Sequence, residues 1–288
     1  MNVARRPEEL AVARRAVAIG TFDGVHIGHR RVLEAALAAH LRPTVVTFDP
    51  HPRAILGNAV ELLTTTQRRL ELFEQLGIED VLMLEFDAEV AALSPEAFAD
   101  WVLGGIGAEV VAAGDGFCFG RGRSGDLALL EQLGYDVRRV PLVDNVSSSH
   151  IRKLLATGHV EQAARLLGRP AEVDGTVVLG DQRGGTLGFP TANIRVQPGQ
   201  LVPAYGIYAG CALGHRAAVS IGTNPHYGGH ERRVEAHLLD FEGDLYGERL
   251  VVELWERLRD EAVFSSEQEL VAAIDADVAR ARSARRPI

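Results

Sequence analysis

The sequence predicts an α/β domain built on a doubly wound parallel sheet, followed by a small antiparallel β domain with a terminal helix. Three observations carry this. The chain has 288 residues, and at ~150 residues per domain that length suits two cores. Up to about residue 147, short apolar β-like runs alternate with segments of helical periodicity, the pattern of a parallel sheet covered on both faces. Beyond Pro170 the period changes to two, with frequent Gly and Asp turn residues, the pattern of an antiparallel barrel or sandwich.

The first strand is expected over 16–19, ending at Gly20. Val32, Leu33, Ala36 and Leu37 then recur at helical spacing. A β-branched run over 44–48, a helix around 68–75 and a strand over 81–84 follow. Ser94-Pro95-Glu96 opens another helix, with serine as cap and proline at the first helical position. A strand over 110–113, a helix near 127–133 and a strand over 137–140 complete the series. Two short helices, 149–155 and 160–167, end at Gly168-Arg169-Pro170, where proline stops the helix. Strands are expected over 176–179, 207–213, 217–221, 234–239 and 250–254. Leu270, Ile274 and Val278 share one face and predict a helix over 266–280 packed on the β domain. The domains are therefore expected to be 1–168 and 169–288.

Composition narrows the function classes. Hydrophobic residues make up 47% and charged residues 24%, ordinary values for a globular protein, and the net charge of −9 offers no broad attraction to nucleic acid or anionic membrane. Lys153 is the single lysine among 30 basic residues. It does not follow a glycine loop, which excludes a P-loop NTPase, and its surroundings fit neither a Schiff-base enzyme nor a protein kinase. Any nucleotide chemistry must use glycine backbone, histidine and arginine. Cys118 and Cys211 are too few and too distant for a zinc knuckle or disulfide framework, so a reducing, cytoplasmic setting is expected. No apolar run approaches a membrane span and no signal peptide is read.

After the first strand stands Gly20-Thr21-Phe22-Asp23-Gly24-Val25-His26-Ile27-Gly28-His29, leading into a helix. Glycines let backbone approach a phosphate, the helix start supplies N–H groups, and two histidines three apart can donate to phosphoryl oxygens as charge develops. A turn with two surface histidines and a metal site with His51 are the other readings. The tetrapeptide His26-Ile27-Gly28-His29 resembles the HIGH signature of nucleotidylyltransferases, and Ser147-Ser148-Ser149-His150-Ile151-Arg152 resembles their second motif. With Thr47-Phe48-Asp49-Pro50-His51-Pro52, Phe117-x-Phe119-Gly120 and Gly125-Asp126, residues 16–168 resemble the FMN adenylyltransferase module of bacterial bifunctional riboflavin kinase/FAD synthetases. Gly116 and Cys118 depart from that pattern, at positions where the family usually has a polar and a basic residue.

In the second half, Gly180-Asp181-Gln182-Arg183-Gly184-Gly185-Thr186-Leu187-Gly188-Phe189-Pro190-Thr191-Ala192-Asn193 combines a glycine loop for phosphate with a hydroxyl and an amide oxygen that can share a hard cation. Further on, Val234-Glu235-Ala236-His237 alternates, so Glu235 and His237 share a face. Periodicity alone favours a solvent-facing glutamate. Gly-Phe-Pro-Thr-Ala-Asn and the run from Val234 to Gly247 resemble the signature segments of riboflavin kinases, with Gly185 and His226 as departures. His226 and His230 leave a metal site as a minor alternative.

The resemblance implies a HIGH-type nucleotidylyltransferase sheet domain and a riboflavin kinase barrel, acting on ATP, riboflavin, FMN and FAD with Mg²⁺. It implies Glu235 as general base, Thr191 and Asn193 as Mg²⁺ ligands, and His26, His29 and Arg152 as stabilisers of charge in adenylyl transfer. Ligand-binding positions are expected at Gly20, Phe22, Asp23, Gly24, Gly28, Asp49, His51 and Ser148 in the first half. In the second they are Gly180, Gly184, Gly188, Pro190, Asn224, Tyr246 and Arg259. Two other readings are a riboflavin kinase with a degenerate or redirected first domain, and a non-catalytic flavin- or nucleotide-binding regulator. A monomer or weak homo-oligomer without nucleic acid or membrane partners is expected.

Overall fold

The structure, a computed structural model, describes residues 1–55, 57, 59–180, 187–223 and 232–288. By packing it divides into two compact units, one of residues 1–61 and 66–146, the other of 62–65 and 147–288. The sequence places the domain boundary at 168, whereas the two helices of 147–168 group with the second unit.

The first unit runs β1 (Asn2–Ala4), β2 (Arg15–Ile19), α1 (Ile27–Leu37), β3 (Arg42–Phe48), α2 (Pro52–Ile55), α3 (Thr66–Gln75), β4 (Asp80–Leu84), α4 (Ala88–Ala92), α5 (Pro95–Phe98) with a π-helical continuation (Ala99–Gly104), β5 (Ala108–Gly114), α6 (Leu127–Gln132) and β6 (Asp136–Val140). The strands form a six-stranded parallel sheet in the order β1-β4-β3-β2-β5-β6. Alternation along each strand divides the core between two faces. Val17, Ile19, Val46 and Leu82 pack with Phe98 and Val102, while Ala16, Ala18, Val45 and Val81 pack with Leu33 of α1 and Phe73 of α3. Ser94 caps α5 as expected, accepting from the Ala97 amide at 3.1 Å, with Pro95 next. From β2 the sheet grows one way through β3 and β4, then the other way through β5 and β6, so the carboxyl ends of β2 and β5 flank the topological switch point.

The second unit begins with α7 (Ser148–Ala156) and α8 (Val160–Leu167). It continues through β7 (Ala171–Val178), β8 (Ala192–Val196), β9 (Gly206–Ala212), β10 (His215–Thr223), β11 (Arg232–Leu238), β12 (Arg249–Arg259) and α9 (Glu267–Ser283). The six strands close into an antiparallel barrel, β10-β11-β8-β7-β12-β9, filled by Val173, Val177, Ile194, Tyr208, Val219, Val234 and Val252. The Leu62–Thr65 segment joins this unit because Thr65 Oγ1 donates to Asp174 Oδ2 at 2.5 Å, on a carboxylate that Arg249 also grips through Nε and Nη2 at 2.8 and 2.7 Å.

Three details differ from expectation. Helix α8 is ended by Gly168 in the left-handed region (φ 70°), its amide donating to Ala164 O at 2.8 Å, before Pro170 is reached. Strand β8, which the periodicity does not predict, starts at Ala192 and Asn193, the last two residues of the 180–193 signature segment. The apolar face of α9 is only half-buried; its most buried residues are Asp277 and Ala281, the latter packed against Trp255 and Leu258.

Candidate active sites

In the first unit, the loop between β2 and α1 lies at the switch point. His26 is 6% exposed and serves as N-cap of α1, its Nδ1 accepting the His29 amide at 3.2 Å. A neutral imidazole accepting at Nδ1 carries its proton on Nε2, so the cap fixes the tautomer that can donate to an anion. The His26 and His29 rings stack with centroids 3.5 Å apart and planes at 15°. Phe22 meets His29 edge-on at 5.3 Å. Phe22 and Val25 hold φ of 50° and 39°, a strained region for side-chain-bearing residues, of the kind that persists where surroundings over-determine the backbone. Gly28 packs closely under the His26 ring: a Cβ there would sit 3.3 Å from it, a contact tight enough to shift the imidazole by a few tenths of an ångström.

Gly20 ends β2, Gly24 turns the loop with φ 85°, and Asp23 is buried beside them. Asp49, after β3 and before a cis bond to Pro50, is 3.5 Å from both Arg5 Nη1 and Thr66 Oγ1. His51 Nδ1 accepts the Arg53 amide at 3.2 Å. Among the described residues no group of three or more His, Cys, Asp or Glu side chains is placed to hold a metal. Ser148 and Arg152 lie on α7, capped by Ser147 Oγ, in the residues that pack with the second unit. Sequence reasoning missed Arg69 on α3, which is 3% exposed and donates to the backbone of Thr21 and Phe48. Its signal was present: Arg69, Leu72, Phe73 and Leu76 stand at helical spacing, so a charge occupies an apolar-face position.

In the second unit, Val234, Ala236 and Leu238 of β11 point into the barrel, leaving Arg233, Glu235 and His237 on the outer face, as the alternation predicts. Glu235 pairs in register with Asn193 of β8. Its Oε2 accepts from Thr191 Oγ1 at 3.5 Å, and its Oε1 accepts from Arg233 Nη1 at 3.2 Å, a contact that sequence reasoning missed although it lies two residues away on the same face. His237 Nδ1 lies 2.8 Å from Pro190 O, and its ring meets Phe189 edge-on at 5.7 Å, pinning the Phe189–Thr191 segment to the strand. Gly180 is dictated by Asn193, whose amide nitrogen would be 2.2 Å from a Cβ.

The Asn193 Oδ1 is buried and has no hydrogen-bond partner among the described residues. An orphaned amide oxygen beside a hydroxyl and a carboxylate is a hard-oxygen donor set that fits Mg²⁺. Gly188 turns with φ 88°. Tyr246 is 51% exposed, its amide bound to Asp244 Oδ1 at 2.9 Å. Arg259 is engaged by Asp277 of α9 (2.7 Å) and lies over the Phe264 ring at 5.6 Å, tying the terminal helix to the barrel. Gly184 and Asn224, with Gly185, His226 and His230, lie outside the described residues.

A parallel sheet with a glycine–histidine loop at its switch point, joined in one chain to a barrel that gathers the Glu235 carboxylate of β11 with the Thr191 hydroxyl and the Asn193 amide at β8, fits the class of two-domain phosphoryl- and nucleotidyl-transferring enzymes. Residues 9–152 match the FAD synthetase family and residues 167–285 the riboflavin kinase family. The chain is 34% identical to the bifunctional riboflavin kinase/FMN adenylyltransferase of Listeria monocytogenes, covering 94% of this chain and 92% of that one. It is 35% identical to the enzyme of the same description from Escherichia coli K12, covering 98% and 95%. A crystal structure described as a macrolide-efflux protein from Streptococcus pneumoniae superposes with a TM-score of 0.88 at 29% identity, covering 97% and 98%. Among the described residues no helix is long and apolar enough to cross a membrane. The chain belongs to the bifunctional riboflavin kinase/FMN adenylyltransferase family.

Proposed function

We propose that the two activities of the family, phosphorylation of riboflavin to FMN and adenylylation of FMN to FAD, are divided between a kinase module of residues 169–288 and an adenylyltransferase module of residues 1–168. Riboflavin kinase and FAD synthetase activity follow from family membership; the assignment of residues is our reading. The observation that carries it is the outer-face cluster of Glu235, Thr191 and Asn193.

In the kinase module, Glu235 accepts the proton of the riboflavin 5′-hydroxyl as that hydroxyl oxygen attacks the γ-phosphorus of ATP and the bond from the γ-phosphorus to ADP breaks. Thr191 and Asn193 would hold Mg²⁺, which when bound supplies charge neutralisation on the phosphate oxygens. Gly180 leaves the space that the Asn193 amide occupies, and His237 ties the Pro190 carbonyl, next to Thr191, to β11. Gly184, Gly188, Pro190, Asn224, Tyr246 and Arg259 remain candidate ligand contacts. In the adenylyltransferase module, an FMN phosphate oxygen attacks the α-phosphorus of ATP, and the bond to pyrophosphate breaks. His26 and His29 donate to the phosphoryl oxygens as negative charge builds, with no covalent intermediate. Arg152 and Ser148 are candidates on their motif alone. Gly20, Phe22, Asp23, Gly24, Gly28, Asp49 and His51 shape the remainder.

We further infer a cytoplasmic enzyme, a monomer or weak homo-oligomer without nucleic-acid partners. Both cysteines are free thiols, and the net charge of −9 repels polyanions. Incubation with riboflavin, Mg²⁺ and ATP, followed by chromatography, is expected to yield FMN and then FAD. FMN without FAD would favour a kinase with a degenerate first domain, and flavin binding without turnover a regulator. Omitting Mg²⁺ with EDTA present is expected to stop FMN formation.

A further inference from the structure

Helix α3 packs Leu72 and Phe73 into the first unit's core, and one turn earlier on that face stands Arg69. A guanidinium stays charged at neutral pH, so burying it is unfavourable unless its N–H groups find acceptors. Burial pushes the Arg69 pKa down from the usual arginine value, against the pull of the Asp23 and Asp49 carboxylates. Nη1 donates to the Thr21 carbonyl at 2.9 Å and Nη2 to the Phe48 carbonyl at 3.2 Å. The Phe48 carbonyl is that of the last residue of β3, and the Thr21 carbonyl stands two residues past the end of the adjacent strand β2, in the loop. The Thr21 carbonyl accepts a second bond, from Thr47 Oγ1 at 3.2 Å.

The next residue is Phe22, in its left-handed backbone conformation. Its ring lies edge-on to His29 on one side and to Phe73 on the other, at 5.3 and 5.7 Å. Helix α3 therefore grips the strained loop with two side chains four residues apart: Arg69 on the Thr21 carbonyl and Phe73 on the Phe22 ring. A lysine at 69 carries one nitrogen and cannot reach both carbonyls with the fixed fork of a guanidinium.

We propose that Arg69 is a positioning residue for adenylyl transfer: by fixing the Thr21 and Phe48 carbonyls it holds Phe22 against His29 and sets where that imidazole meets the phosphates. This rests on the reading of His29 as a phosphoryl contact. The side chain touches no reacting atom. Its effect belongs in kcat, because a misplaced stabiliser weakens the transition state more than the bound ground state.

The test uses the full-length chain with added FMN, ATP and Mg²⁺, following pyrophosphate release. Arg69→Met is expected to lower kcat by about 10²-fold, the scale of an ångström-sized misplacement, with KM for FMN and ATP held within about threefold, since ground-state binding is spared. Arg69→Lys should show a smaller loss with the same split, and it decides the matter if the methionine variant does not fold. Phe73→Leu should also lower kcat, and adding it to Arg69→Met should cost less than the product of the single effects, because both act through one loop. Riboflavin phosphorylation should stay within about twofold throughout, as expected for an independent site in the other module. An unchanged kcat, a loss confined to KM, or fully multiplicative effects would overturn the proposal. Loss of FAD formation in His29→Ala beside normal turnover in Arg69→Met would overturn the role of Arg69 alone. Retention of FAD formation in His29→Ala would overturn both it and the reading beneath it.

Discussion

The two units hold their chemistry in different ways. In the barrel the candidate groups stand on or beside paired strands: Glu235 and Asn193 are fixed by the β11–β8 register, and a single strand face carries Arg233, Glu235 and His237. In the sheet unit the candidate groups sit past the strand ends, where the ladder has stopped. The loop of Thr21–Val25 holds two non-glycine residues at positive φ, and its shape is imposed from outside by Arg69, Thr47 and Phe73. A site on a ladder inherits its precision from backbone pairing, whereas a site at strand ends needs side-chain clamps, the role proposed for Arg69.

The largest expected effects test whether the two sites are independent. Glu235→Gln keeps the shape but removes the base, and riboflavin phosphorylation should fall by about 10²–10⁴-fold while added FMN is still adenylylated. His29→Ala removes one donor and should lower FAD formation by about 10²–10³-fold, with FMN formation unchanged. Both are read from initial rates with the flavins resolved by chromatography.

A third prediction separates the site from the scaffold beneath it. Arg15 and Asp80 are each 1% exposed at the amino end of the sheet, and Arg15 Nη2 lies 3.1 Å from Asp80 Oδ2. Arg42 adds bonds of 2.5 and 3.0 Å to the same carboxylate. Burial would raise the Asp80 pKa, but the bonds from Arg42 and Arg15 outweigh it and hold it below the usual carboxylate value. A carboxylate depressed in the folded state contributes stability above its unfolded pKa and loses it as pH falls through the folded one. Asp80→Asn leaves Arg15 buried without its counter-charge, a loss of about 3–5 kcal/mol. In urea titrations the variant should be less stable at neutral pH and show a shallower decline toward acid. Each activity per folded molecule should match the parent.

The smallest effect concerns Gly116. A Cβ there would meet no atom within 4 Å, and the backbone is not in the left-handed region. Gly116→Asn should change stability by no more than about 0.5 kcal/mol. If the family's polar residue is missed at this position, one added hydrogen bond should raise kcat/KM for FAD formation about 2- to 10-fold. No gain would show that Asp115 or another group already does this work.

Much of this was legible in the sequence because periodicity reports which side of an element is buried. The alternation of Val234, Ala236 and Leu238 placed Glu235 and His237 outside the barrel, and Ser94-Pro95 marked the start of a helix. What was hidden depended on long-range packing. Strand β8 starts at Ala192 and Asn193, the end of the signature segment, so the glycine-rich residues before it masked its ladder. The Ser147–Gly168 stretch opens with the second nucleotidylyltransferase-like motif, residues 147–152, but packs by burying Ile151, Leu155, Val160 and Leu167 with the barrel core. Arg259 matched a ligand-binding pattern, yet its guanidinium is engaged by Asp277, a partner 18 residues away that periodicity does not reveal. Arg69 was concealed by its type, since an arginine on an amphipathic helix is ordinarily read as part of the exposed face.

The central claim is that one chain carries two independent sites, one per module. The most direct measurement is a single chromatographic time course of riboflavin, FMN and FAD for the parent, Glu235→Gln and His29→Ala, each started from riboflavin and separately from FMN. The account predicts reciprocal patterns: Glu235→Gln makes FAD from FMN but no FMN from riboflavin, and His29→Ala accumulates FMN without FAD. Loss of both steps in either variant, with both proteins folded, would contradict it.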